Sequence, residues 1–329
     1  MKTTNVATTL AVLFVCVAAH ASAEQNVVEA VATFSRLSKD DASVPKRFQL
    51  SQANVEVSFA REKKFNAYSV RKLTFPSPVK TEHDVNNTVH CEYFQPHWNP
   101  GEDTLPAVVV LHILGGDFEL SRACCRALSS QGIATLFLKM PYYGPRRPSG
   151  KRERMISEDP VKTVARVTQA VKDIRRAADW LESRKEVDAK RLGITGISLG
   201  GIVASLTASV EPRFKNSSFV LAGGDFATLF MESTELDDER EAWGSERITA
   251  KQVGEALKPV DPLTYASRLK GRNVLMMNGR KDTVIPRVCT DQLWELAGKP
   301  EIIWWNAGHH SAAWYLPSGL AKMIPFFKQ

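Results

Sequence analysis

The sequence predicts an α/β architecture: a mostly parallel central sheet with helices on both faces. Three observations lead there. From residue 107 onward, short apolar runs rich in β-branched residues alternate with stretches of helical periodicity, the pattern of strands linked by crossover helices. The run Gly196-Ile197-Ser198-Leu199-Gly200 joins one such strand directly to a helix. An aspartate and a histidine then follow the ends of two later strands, the sheet edge where α/β sites form.

The chain has 329 residues, 43% hydrophobic and 24% charged, which excludes a disordered or fibrous protein. Residues 1–23 read as a secretory leader. Lys2 begins it, residues 6–19 are apolar apart from Thr8 and Thr9, and Ala21-Ser22-Ala23 supplies the small residues of a cleavage site. The apolar part is shorter than the about 20 residues of a membrane helix. An exported product, periplasmic or secreted, is therefore expected, with no stable membrane span after cleavage. Cleavage removes Lys2 and no acid, taking the formal net charge from +7 to +6. The basic residues are dispersed and no nucleic-acid motif is present, so no nucleic-acid partner is expected. Cys16 leaves with the leader, while Cys91, Cys124, Cys125 and Cys289 stay. Export permits disulfides, but a core of this size needs none, and buried thiols remain an equal reading. No Cys-x-x-Cys or histidine cluster points to a metal, and no cofactor is implied.

Residues 24–67 have mixed composition and weak periodicity, and read as an N-terminal extension packed on a main domain of 68–329. Strands are predicted at 69–75, 88–94 and 107–112. A helix at 120–132 ends in glycine, and a strand follows at 133–139. Val164, Val167, Val171, Ile174, Ala178 and Leu181 fall three and four apart, marking one face of a helix. Further strands are predicted at 192–197, 219–223, 273–278 and 301–305, with helices at 199–210 and 286–297. Residues 226–262 interrupt the alternation and are a candidate lid, although the charged run at 235–241 fits a solvated face equally well.

A serine on a sharp strand-to-helix turn projects its hydroxyl above the sheet, and the flanking glycines leave room for close backbone approach. Ser198 is the candidate nucleophile. The amide of Leu199, at the helix N-terminus, is a candidate oxyanion donor. An activated serine needs a base, and the base an orienting carboxylate. Asp282 follows the strand at 273–278, and His309 follows the strand at 301–305 in the run Asn306-Ala307-Gly308-His309-His310. The order Ser, Asp, His is the one this architecture uses. Asp225 is the rival acid and His310 the rival base. His112 reads as a buttress of its loop, and His83, His90 and His97 as structural. The loop His112-Ile113-Leu114-Gly115-Gly116 should carry the second oxyanion donor; sequence does not separate Ile113 from Leu114, and Leu114 is chosen. Tyr142, Tyr143 and Arg146 follow another strand end and are candidate substrate contacts. Trp304 and Trp305 read as core.

The elbow, the Gly-x-x-Asp-x-x-Ile-Pro loop at 279–286 and the Gly308-His309 step resemble the α/β-hydrolase superfamily. They are most similar to its serine esterase, dienelactone hydrolase-like and acetyl xylan esterase branch. The resemblance covers residues 68–329 and implies the α/β-hydrolase fold and cleavage of carboxylic esters through an acyl-enzyme. It implies a small-molecule or acylated carbohydrate ester as substrate. His112-Ile113 departs from the family's His-Gly. A serine peptidase or thioesterase, or a binding protein without catalysis, are the other readings of the same scaffold.

Overall fold

The computed structural model describes residues 28–36, 43–116, 118–150, 153–157, 159–242 and 249–329; the predicted leader lies outside them. The chain opens with β1 (Ala30–Arg36), β2 (Ala53–Phe59), the short β3 (Lys63–Lys64), β4 (Tyr68–Pro76) and β5 (Thr88–Pro96). These pair antiparallel. The crossover region follows: β6 (Leu105–Leu111), α1 (Phe118–Ser129), β7 (Ala134–Lys139), α2 (Pro160–Glu182), β8 (Val187–Ile197), α3 (Leu199–Val210) and β9 (Phe214–Val220). Then come α4 (Phe226–Glu232), α5 (Asp237–Ala242), α6 (Ala250–Leu257), β10 (Asn273–Gly279), α7 (Arg287–Leu296), β11 (Glu301–Trp305) and α8 (Leu316–Phe327). The strands all form one sheet in the order β1-β2-β4-β5-β7-β6-β8-β9-β10-β11, with β3 paired to β4 off this path. From β7 to β11 every neighbouring pair is parallel. This is the predicted α/β-hydrolase fold.

The apolar runs are continuous because both faces of the sheet are covered. Ala107, Val109 and Leu111 of β6 point into a core shared with α2, α3 and α7. Val108 and Val110 point into a second core shared with α1 and α8. Residues 274–277 of β10 alternate in the same way. Strand side chains alternate between faces, so a strand with helices on both sides has no polar register to spare.

Four features differ from the sequence expectation. The strand expected at 219–223 is β9, which begins five residues earlier; Asn216, Ser217 and Ser218 are buried in it. Small polar side chains hid the first part of this central strand. The N-terminal extension does not simply pack on the domain, because β1 and β2 prolong its sheet. The candidate lid holds α4, α5 and α6, with residues 243–248 outside the described ones. Phe226 and Phe230 of α4 pack with Val253 and Leu257 of α6 while Leu229 joins the main core, a spacing of three and four that the neighbouring charges masked. Helix α8 was not anticipated at all.

Candidate active site

The elbow is built as its glycines demand. Ser198 has φ 54° and ψ −122°, a left-handed conformation that a non-glycine residue adopts only under constraint. Its N–H donates to the Val220 carbonyl at 2.9 Å, tying the turn to β9. A Cβ on Gly196 would stand 2.3 Å from the Gly200 backbone, and one on Gly200 would stand 2.7 Å from the carbonyl oxygens of Leu111 and His112. Helix α3 therefore starts in contact with the end of β6.

Two loops bring their side chains to this turn. Beyond β10, Asp282 accepts the Val284 and Ile285 amides on Oδ1, at 2.9 and 2.8 Å. Its Oδ2 lies 2.8 Å from His309 Nδ1. A carboxylate only accepts, so Nδ1 carries the proton and Nε2 is left to accept. Nε2 lies 2.9 Å from Ser198 Oγ. The side chains of Asp282 and His309 are 2% and 9% exposed, which shields the hydrogen-bonded chain from competing water.

The rival residues stand elsewhere. Asp225 caps α4, accepting the Thr228 amide and hydroxyl and the Gln292 side chain. His310 is exposed and pairs with Glu235 at 3.0 Å. His112 is fully buried: its Nε2 accepts the Met140 N–H at 3.0 Å, so Nδ1–H donates to the Ile113 carbonyl at 2.8 Å. Burial, against the Ile113 hydrogen bond, pushes its pKa down to about 4. It buttresses the loop, as expected.

An open cleft of about 770 Å³ lies over the serine, lined by Ile113, Leu114, Tyr142, Tyr143, Ser198 and His309. Tyr142 is largely buried, with the Arg166 guanidinium 4.2 Å above its ring. Tyr143 packs edge-on to His112, with ring centroids 4.6 Å apart. Arg146 corrects the sequence reading, because it is no substrate contact. It is fully buried, paired with Asp173 at 2.7 Å and bound to the Asn86 and Lys139 carbonyls. Among the described residues, the arginines that line the cleft are Arg147 and Arg154. Trp305 is core as expected, whereas Trp304 is half-buried with the Arg287 guanidinium 4.8 Å from its ring.

Sequence reasoning missed a second cavity that also reaches Ser198. It holds about 100 Å³ and is walled by apolar side chains of α2, α3, α4 and α6. The signal was the helical spacing in residues 226–230. Among the described residues, no group of histidine, cysteine and acidic side chains forms a metal site, and Cys91, Cys124, Cys125 and Cys289 are buried free thiols.

Comparison with known proteins agrees with this architecture. The structure is similar to an acetyl xylan esterase from Paenibacillus sp. R4, with a TM-score of 0.65 and 22% identity over 83% of this chain and 88% of that one. An acetyl xylan esterase from Thermoanaerobacterium sp. JW/SL YS485 gives 0.62 at 18% identity, over 82% and 87%. At such identities the likeness is one of fold. An uncharacterized protein of Mycobacterium tuberculosis is 31% identical over 54% of this chain, a match spanning 42% of that relative's length. An Escherichia coli protein carrying the provisional name carboxymethylenebutenolidase is 26% identical over 68% of this chain and 77% of its own. The family described as alpha/beta hydrolase domain containing 18 matches residues 23–234, well over half of the sequence, and the chain belongs to that family.

Proposed function

We propose that the protein is an exported serine hydrolase that cleaves carboxylic esters through an acyl-enzyme. The observation that carries this reading is the continuous chain Ser198 Oγ to His309 Nε2 and His309 Nδ1 to Asp282 Oδ2, at 2.9 and 2.8 Å. His309 takes the Ser198 proton as Oγ attacks the ester carbonyl, and returns it to the departing alcohol. Water then attacks the acyl-enzyme, again with His309 as base. Asp282 holds the imidazole in the tautomer that can accept, and its second oxygen is anchored by two amides.

The oxyanion falls to the amides of Leu199 and Leu114. Leu199 opens α3, where the helix N-terminus presents unpaired N–H groups and a positive dipole end. Leu114 is favoured over Ile113 by peptide geometry. In a trans peptide the carbonyl and amide point in opposite directions. The Ile113 carbonyl is drawn to the buried His112 ring, so the Leu114 N–H of the same peptide points away from it. The departure at Ile113 is thus compatible with a donor one residue later.

The leader read in residues 1–23 makes the enzyme periplasmic or secreted. A serine at the elbow disfavours the cysteine-dependent dienelactone reaction suggested by the Escherichia coli relative's name, and favours simple esters, acylated carbohydrates included. The test is labelling by a fluorophosphonate probe together with turnover of p-nitrophenyl esters. Wild-type protein labels and turns over; Ser198→Ala does neither, with kcat lower by roughly 10⁴-fold or more. A folded wild-type protein that neither labels nor hydrolyses any ester removes the proposal, and faster turnover of peptide anilides than of esters replaces it with a peptidase.

A further inference from the structure

Two cavities meet at Ser198, and they differ in character. The open cleft contains His309 with Arg147 and Arg154 in its wall, whereas the second cavity has no histidine among the described residues and is walled by Val203, Leu206, Phe226, Phe230, Leu257 and Ile285. Leu114, Ser198 and Glu235 touch both. The few hydroxyls at the apolar cavity are engaged locally: Thr163 Oγ1 accepts the Ser157 amide at 2.9 Å and donates to its carbonyl at 3.2 Å. Apart from Glu235 and these hydroxyls the lining is apolar, and such a surface disfavours groups that bring unpaired polar atoms.

The chemistry assigns the two halves of an ester to the two spaces. The departing alcohol oxygen receives its proton from His309 and must stand on the histidine side. That side is the open cleft. The acyl group leaves the carbonyl carbon in another direction, and the apolar cavity, which shares Ser198 and Leu114 with the cleft but not His309, is the space open to it. We infer that this cavity under α4 and α6 is the acyl-binding site and selects unsubstituted aliphatic acyl groups of about four carbons, scaled from the capacity of apolar cavities. The size follows by proportion. A dry cavity of about 150 Å³ accommodates the six carbons of benzene, and this one holds about 100 Å³. Acetyl underfills it and a fatty acyl chain overfills it. The inference rests on the serine hydrolase reading and adds the acid half of the substrate.

The test uses the purified full chain with p-nitrophenyl acetate, butyrate, hexanoate, octanoate and laurate. Each methylene buried adds roughly fourfold to kcat/KM, so butyrate should exceed acetate by about fifteenfold, with a steep fall beyond hexanoate. Phe230→Ala and Leu257→Ala, on separate helices, each deepen the cavity and should move the maximum to hexanoate or octanoate; if one fails to fold, the other carries the comparison. A maximum at acetate, a flat profile, or an unmoved maximum in a folded variant overturns the assignment while labelling of Ser198 leaves the serine hydrolase reading standing. Absence of both labelling and turnover of every ester removes the two together.

Discussion

His112 performs no proton transfer in the proposed reaction, yet it orients the peptide opposite the serine. It does so only while neutral, since its Nε2 must accept the Met140 amide. Its pKa lies near 4 in the folded protein against an ordinary 6.5. Between those values the unfolded chain binds a proton that the folded one does not, so stability falls as pH drops from about 6.5 to about 4 and is unaffected above. The effect is on the order of 3 kcal/mol. Chemical denaturation across that range should show a stability slope that His112→Gln makes shallower. Arg146 belongs to the same scale. Replacing it with methionine strands Asp173 in the interior, a loss of about 3–5 kcal/mol, measurable as a lowered Tm. Asp173→Asn should be costly as well, because it leaves the fully buried Arg146 guanidinium without its counter-charge. The difference between Arg146 and the triad residues shows what sequence can carry. Ser198, Asp282 and His309 each follow a strand end in a fixed order, so chain position alone implied their meeting. Nothing around Arg146 announces a partner 27 residues away in the middle of α2; a guanidinium in a proline-rich loop reads as surface until the fold is closed over it.

Among the elements, the junction between α3 and β6 has the least tolerance. Gly200→Ala would push a methyl group to 2.7 Å from two backbone oxygens that no rotamer change relieves. A loss of about 1–3 kcal/mol is expected, with esterase activity falling further than stability because the displaced backbone carries Leu199 and faces Leu114. Comparing specific activity of the soluble fraction with its Tm separates the two effects. Elements made of unbroken apolar runs were legible almost to the residue, β10 and β11 among them. Those with mixed chemistry were not: β9 buries Asn216, Ser217 and Ser218, and α4 and α6 hide apolar faces among exposed charges. Pattern reading assumes that polarity tracks solvent. It loses its footing where a sheet is covered on both sides, or where a helix covers a cavity.

At the level of the whole molecule, the described cysteines are four buried free thiols. Burial pushes the Cys124 and Cys289 thiols up to about 12, so they are neither charged nor reachable in the folded state. Native protein cleaved after residue 23 should be silent to a thiol reagent. In denaturant it should release four equivalents if the leader has been cleaved and five if Cys16 is retained, since the sequence holds five cysteines. The same titration therefore tests export, and the Tm should be indifferent to reductant. Stability here comes from a sheet with a core on each face, which is also why β1 and β2 escaped notice: they lengthen that sheet from its antiparallel end without the helical punctuation that made the rest readable.

The helices walling the apolar cavity from above, α4 and α6, enter the chain between β9 and β10. Ser198, Asp282 and His309 hang from β8, β10 and β11, whose pairings lie within the sheet. Mutation in the inserted stretch can therefore reshape what the protein accepts without touching the groups that would cut it. Such an arrangement separates the inheritance of chemistry from the inheritance of taste. Two descendants of one ancestor can differ widely along α4 and α6, diverge in diet, and still share one reaction.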